Sequence, residues 1–249
     1  GGINAYDGQS FHRYQINQQD SNSISSRSVY GIEEDKHNNL WIATLGGGIN
    51  RLDETRKYIT RYNTTNDKNI SPDYIISTFK SEDGSIYFSS DRGPYTLEDN
   101  SIKPYFRSDT LLNYLTNTKC NNLITDRRGI LWLATDNGIN IYNPKTQIFQ
   151  YINSKDGLPD EEIVSLIEDN FGNIWAGTRN GLVHIECLYN YDRLEYKLHY
   201  FDEKDGLPSS VCNQNAIFKN KDGKIYVGTT KGYVSFYPNK IKVNKIPPT

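Results

Sequence analysis

With 249 residues the chain can hold one large all-β domain or two small ones, and either would bury a substantial core. Its 28 basic and 30 acidic residues are interspersed and give a formal charge of −2, so no basic stripe exists to neutralise a row of phosphates and nucleic acid is not an expected partner. The 12% aromatic share, with 19 Tyr, favours half-buried strands; no apolar run approaches the roughly 18 to 20 residues of a membrane span and no leader pattern opens the chain, so a soluble chain is expected.

Taken from the start, GGINAYD at Gly1 and FHRYQ from Phe11 read as two short strands, and residues 1–27 form the trailing strands of an incomplete unit. The next unit, residues 28–73, shows the pattern whole. Residues 30–33 alternate as a first strand, LWIAT (Leu40–Thr44) is a second, GINRL (Gly48–Leu52) a third and YITRY (58–62) a fourth. Residues 74–118 carry a degenerate copy, ISTFKSEDGSIYFSSDRGPYTLE from Ile76. Residues 119–162 carry a clear one, NNLITDRRGILWLATDNGINIYN from Asn121, closed by QIFQYI from Gln147. Residues 163–213 read VSLIEDNFGNIWAGTRNGLVHIE from Val164, then an insertion, then KLHYF from Lys197. Residues 214–240 read NAIFKNKDGKIYVGTTKGYVSFY from Asn215 without a clear fourth strand, for which FHRYQ would serve if the chain closes on itself. Residues 241–249 read as a linker.

Aligned on the aromatic after the first turn, the anchors are Trp41, Tyr87, Trp132, Trp175 and Tyr226, spaced 46, 45, 43 and 51 residues apart. That period and four strand signals per unit predict an all-β fold, a β-propeller of four-stranded antiparallel blades, rather than a solenoid. In LWLAT, Leu131, Leu133 and Thr135 share one face and Trp132 and Ala134 the other, and both faces of a blade are buried, which makes the recurring Trp structural. Ala134, Ala176 and Gly177 are small enough to let neighbouring sheets approach. After each fourth strand a further connection recurs: DSNSIS from Asp20, DKNISP from Asp67, and DGLP from Asp156 and from Asp205. The absence of Met and an opening in mid-repeat lead us to expect a piece of a longer protein.

No chemistry of a common enzyme is legible. The turns from Asp126 to Gly129 and from Asp169 to Gly172 are explained by Asp capping backbone amides and Gly taking positive φ. Cys120, Cys187 and Cys212 are far apart and read as buried thiols; His12, His37, His184 and His199 lack metal-ligand spacing. No nucleophile elbow, P-loop or dinucleotide fingerprint occurs, no loop has a calcium pattern, and Asp160, Glu161 and Glu162 read as a solvated loop rather than a carboxylate pair. No metal and no cofactor is expected.

A binding face follows from strand parity. The loops between second and third strands lie on the face that carries the connections between units, and their tips differ where the rest of the repeat is constant. They read Leu45-Gly46-Gly47, Asp91 to Tyr95, Asp136-Asn137, Arg179-Asn180 and Lys231-Gly232. Arg92, Tyr95, Asp136, Asn137, Arg179, Asn180 and Lys231 are the candidate ligand-binding residues, a set suited to a sugar's hydroxyls, acidic substituents and ring face. The insertion places Tyr189, Tyr191 and Arg193 on one edge, either touching another propeller or subunit or forming a longer hairpin without a partner.

LWIAT, LWLAT, IWAGT and IYVGT, with Asp35, Asp126 and Asp169 before the turn and Gly48, Gly138, Gly181 and Gly232 after it, resemble the repeat of the two-component regulator propeller family. The third copy departs from it at Tyr87 and Ser89-Ser90. The resemblance implies about five to six blades of a seven-bladed propeller. It also implies the periplasmic sensor region of a hybrid two-component system, an ectodomain of an inner-membrane histidine kinase that controls genes for polysaccharide use. On that basis we expect a non-catalytic module that binds an oligosaccharide and contacts neighbouring propeller and β-sandwich domains, with a homodimer as a further partner and the membrane reached only through a later segment. A propeller-fold polysaccharide lyase or glycosidase is the alternative, and a scaffold that binds only protein is a third reading.

Overall fold

The computed structural model describes residues 1–64, 74–190 and 193–241; the connection at Asp67, Tyr191 of the insertion and residues 242–249 lie outside them. Within the described residues the chain is a β-propeller fold of antiparallel blades whose strands are ordered as in the sequence. Strands β1 (Ile3–Tyr6) and β2 (Phe11–Tyr14) form a two-stranded sheet. The first full blade holds β3 (Val29–Glu34), β4 (Leu40–Thr44), β5 (Gly48–Leu52) and β6 (Ile59–Tyr62). The second holds β7 (Ile75–Lys80), β8 (Ile86–Ser90), β9 (Gly93–Glu98) and β10 (Ser101–Pro104), followed by the helical turn α1 (Asp109–Leu112). The third holds β11 (Cys120–Thr125), β12 (Leu131–Thr135), β13 (Gly138–Asn143) and β14 (Ile148–Ile152). The fourth holds β15 (Ile163–Glu168), β16 (Ile174–Thr178), β17 (Gly181–Asn190) and β18 (Arg193–Phe201). A final three-stranded blade holds β19 (Cys212–Lys219), β20 (Ile225–Thr229) and β21 (Gly232–Phe236).

The expectation that FHRYQ completes the last blade is overturned. Phe11 pairs with Tyr6 and Tyr14 with Ile3, so β2 is spent on the strand just before it, the pairing that a short turn makes cheapest in loop entropy.

The chain divides into two compact units, Gly1–Leu123 and Ile124–Thr249. In the first, the face of β4 and β5 that carries Trp41, Ala43 and Ile49 packs on Ile86, Phe88, Tyr95 and Ile102 of the next blade. In the second, Trp175 and Leu182 pack on Ile225 and Val227, with Phe236 4.7 Å from the indole. Trp41 and Trp175 are thus each turned towards the blade that follows their own. All five residues of β12 are buried, as expected for strands covered on both faces.

Close approach at the first strands is secured by small side chains. Gly31 faces β7 so tightly that a Cβ would lie 2.4 Å from Thr78 Oγ1 and 2.9 Å from the Thr78 amide nitrogen. A Cβ on Gly177 would lie 2.5 Å from Ser165 Oγ and 3.1 Å from Cys212 Cβ of the following blade. The cross-strand pairs Gly31 with Ala43, Ser77 with Ser89 and Ser165 with Gly177 repeat this small-on-small arrangement beside the bulge of each first strand.

Trp41, Trp132 and Trp175 are buried to within 1% of full, whereas Tyr87 and Tyr226, at the same strand position, are only half-buried. The insertion is a long hairpin of β17 and β18, and it is not without a partner: it docks on the preceding blade. Tyr189 donates its hydroxyl hydrogen to Asp126 at 2.7 Å beneath the Arg128 guanidinium, 3.7 Å from the ring centre. The Gln150 amide donates to the Leu194 carbonyl and accepts from the Leu194 N–H, both at 3.0 Å. Arg193 is exposed.

Candidate functional site

The turn between first and second strands is a structural lock. Asp126 Oδ1 accepts the amides of Arg128 and Ile130 while Oδ2 accepts the Trp132 indole N–H at 3.2 Å. Asp169 does the same for Phe171, Asn173 and Trp175, and Asp35 for His37, Asn39 and Trp41. Burial alone would raise the Asp35 pKa, but the bonds from Trp41, Asn39 and His37 outweigh it and hold the carboxyl below its usual range. The carboxylates serve the turn and its indole. Arg127 adds a bridge, donating to Glu168 at 2.6 Å and to the Asp169 carbonyl at 2.7 Å.

The opposite turn, between second and third strands, is built to present one side chain. The last residue of each second strand closes it: Thr44, Ser90, Thr135, Thr178 and Thr229 donate to the carbonyls of Gly48, Gly93, Gly138, Gly181 and Gly232 at 2.6–2.9 Å. The same hydroxyl then accepts the amide two residues on, from Arg92, Asn137, Asn180 and Lys231, at 3.0–3.4 Å. Those residues and Gly46 are exposed. A constant, buried hydroxyl therefore fixes a tip whose chemistry varies from blade to blade.

The connections between blades lie against these tips. In the second unit the Gly138 amide donates to the Glu161 carbonyl at 2.8 Å, Gly181 to Ser210 at 2.6 Å and Thr230 to Val211 at 3.0 Å. The two DGLP connections begin as matching turns, capped reciprocally by Asn153 with Asp156 and by Asp202 with Asp205, and ended by Gly157 at φ 106° and Gly206 at φ 105°.

The sequence-predicted residues fall into distinct environments. Arg92, Asn137 and Lys231 stand at tips, Lys231 with 72% of its side chain exposed and its ammonium 4.0 Å from Glu203. Asn180 is also a tip, its amide donating to the Pro159 carbonyl at 3.3 Å. Asp136 is half-buried beside Asn137. Arg179 is held: it donates to Glu162 at 2.8 Å and to the Cys212 carbonyl at 3.2 Å, tying a connection to the next blade. Tyr95 is 5% exposed in the apolar core with Trp41 and Phe88, so its ring does not face a ligand on the surface. The cause is parity: β9 already starts at Gly93, which turns the third residue of that strand inward.

The acidic neighbours are likewise committed. Glu161 accepts from Ser154, which lowers its carboxyl, Asp160 accepts the Glu162 amide, and Glu162 pairs with Arg179. Burial raises the three thiols, Cys187 up to about 12, as inert packing groups do.

In the first unit the same face carries cavities that the tip reading did not locate. One of about 410 Å³ is bordered by Ile16, Gln18, Ser25, Ser26, Arg27 and the tip at Gly46. A second of about 250 Å³ shares Ile16 and Arg27, and a third of about 640 Å³ shares Gln15 and Ile16 and continues along β2 to the turn at Arg56. The connection forming their wall is pinned by Asn50, whose side chain accepts the Ser25 amide at 2.9 Å and donates to Ser25 Oγ at 2.7 Å. The recurring connection was visible in the sequence, but nothing in it marked the basic residues that border the cavities.

The family profile of the two-component regulator propeller matches residues 23–46 and 157–180. Over its full length the chain is 29% identical to Histidine kinase P4 of Formosa agariphila and spans 22% of that protein. Among solved structures, the extracellular domain of the hybrid two component system BT3049 of B. thetaiotaomicron matches with a TM-score of 0.69, at 23% identity over 100% of this chain and 31% of that one. PorZ, a surface component of the type-IX secretion system of Porphyromonas gingivalis, matches with a TM-score of 0.67, at 16% identity over 95% of this chain and 36% of that one. Both structural likenesses are of fold. The chain spans about a fifth of the curated relative and about a third of these solved chains.

Proposed function

Given that residues 23–46 and 157–180 match the two-component regulator propeller, we propose that the chain is a non-catalytic sensing module that recognises an oligosaccharide outside the cytoplasm, in the periplasm, and passes the signal to a histidine kinase elsewhere in its polypeptide. The observation that carries this reading is the tip geometry. Five repeats close their second-to-third-strand turns with a buried hydroxyl at the same place and differ in the residue presented, Gly46, Arg92, Asn137, Asn180 or Lys231. Constant scaffold with variable polar tips suits recognition. The carboxylates that a hydrolase would need stand in local bonds, as do the turns' Asp side chains. Neighbouring domains of the same protein and a second copy are the partners through which a rigid shift would travel.

The test is a glycan panel titrated against the purified chain, with each mixture then examined by mass spectrometry. Saturable binding without any new product, weakened in Arg92→Ala or Lys231→Ala, is the expected result. Product formation that disappears in Glu162→Gln, or an absence of binding across the panel, would refute the reading.

A further inference from the structure

We propose that the cavities meeting at Ile16 form a groove for an acidic oligosaccharide, one bearing uronate carboxylates or sulfate esters. This deepens the sensing reading and rests on it. The groove comprises the cavity at the Gly46 tip, bordered by Arg27, and the cleft of about 640 Å³ along β2 and the start of β6, which share Ile16 and are of a size suited to a small ligand.

Its charge departs sharply from that of the whole chain. Arg13, Arg27, Arg56 and Lys57 border it against a single carboxylate, Asp20, whereas the chain carries a net charge of −2. Arg56 is shared with Glu34 at 2.9 Å. The side chains of Arg13, Arg27 and Lys57 form no ion pair among the described residues, and all three are exposed. Cations of one sign along a concave wall focus field on an anion, and guanidinium matches carboxylate and sulfate in two-pronged geometry.

The rim is also rigid before any ligand arrives. Asp53 accepts the Thr55 hydroxyl and the amides of Tyr58 and Lys57, bonds that hold its carboxyl at about 2 and fix the turn. Arg56 sits in that turn at φ 63°, a left-handed position a large side chain takes only when its surroundings impose it. On the far wall the Tyr14 hydroxyl donates to the Arg56 carbonyl at 3.0 Å, and Asn22 clamps the backbone of Lys57 and Ile59. His12 and Tyr14, with ring centres 4.5 Å apart, add ring edges beside the cations, and Asn17 and Gln15 add amides for hydroxyls.

The test is calorimetric titration of the intact chain at low salt. The probes are tetragalacturonate, its methyl ester, a chondroitin sulfate tetrasaccharide and hexaglutamate. At least one acidic glycan should bind, the uronate and sulfate arms deciding between the two anions. The methyl ester should bind at least tenfold more weakly than tetragalacturonate if the uronate arm is the one that binds. Arg13→Ala and Lys57→Ala should each weaken the acidic glycan at least fivefold, with thermal midpoints unchanged. Binding of neither acidic glycan, equal binding of hexaglutamate, or wild-type affinity in both variants would overturn the groove. If neutral glycans then bind and respond to Arg92→Ala, the sensing reading stands without it; if no glycan binds, both fall.

Discussion

At Asp126 two carboxylate oxygens serve four donors, and the arrangement explains a correlation readable along the chain. Where the anchor is Trp41, Trp132 or Trp175, an Asp stands six residues earlier; where it is Tyr87 or Tyr226, that place holds Ser81 or Asn220. At the anchor position it is the indole N–H that reaches the buried acceptor, so the pair changes together. Asp169→Ala leaves the Trp175 N–H and two turn amides without their acceptor and should cost about 2–4 kcal/mol. A double-mutant cycle with Trp175→Phe should return a coupling near 1 kcal/mol in urea denaturation. His184, stacked 4.4 Å from the Trp175 ring centre, is pressed down from its ordinary value chiefly by burial, with Asp169 and Glu186 pulling up and His199 pushing down. Because the folded state binds that proton less readily than the unfolded chain, stability is full above about pH 6.5 and declines as pH falls below it. The melting temperature should therefore drop less between pH 7.5 and 5.5 in His184→Gln than in the wild type. Tyr95 shows where residue-level reading stopped: its chemistry suited a ligand, but the side to which it points depended on where β9 begins.

At the scale of elements, four-strand units, turn positions and the inward Trp were legible because they repeat with period and parity. LWIAT and GINRL coincide with β4 and β5 to the residue. The hairpin of β17 and β18 was legible only as extra length, since its docking on Asp126 and Gln150 depends on a neighbour some 40 to 60 residues away in sequence. Tyr189→Phe removes one buried bond to a carboxylate while keeping the ring under Arg128, and should cost about 1–3 kcal/mol, read as a lower urea midpoint at unchanged slope. Gly31 needs no special φ, yet it cannot grow a side chain, because the Thr78 backbone lies 2.9 Å from the Cβ position. Gly31→Val should destabilise by about 1–3 kcal/mol or more through overpacking, whereas Gly46→Ala meets no atom within 4 Å and is limited to the strain of its φ of 79°.

At the scale of the whole molecule, the fold follows from repetition, and function follows from what repetition leaves free. The first-to-second-strand turns are filled with bonds that serve the blades, while the other turns and the connections hold exposed tips and, in the first unit, the cavities. The sequence pointed to these other turns through their variable tips, and Arg92, Asn137, Asn180 and Lys231 stand at them. It did not point to Arg13 or Lys57, which come together only when β2 and β6 are neighbours. Hydrogen exchange with and without the tightest-binding acidic oligosaccharide tests the central claim most directly. Slower exchange in residues 12–27, 45–47 and 56–59, with the turns at 126–130 and 169–173 unchanged, is the result this account predicts; slowing at those turns with none in 12–27 would contradict it.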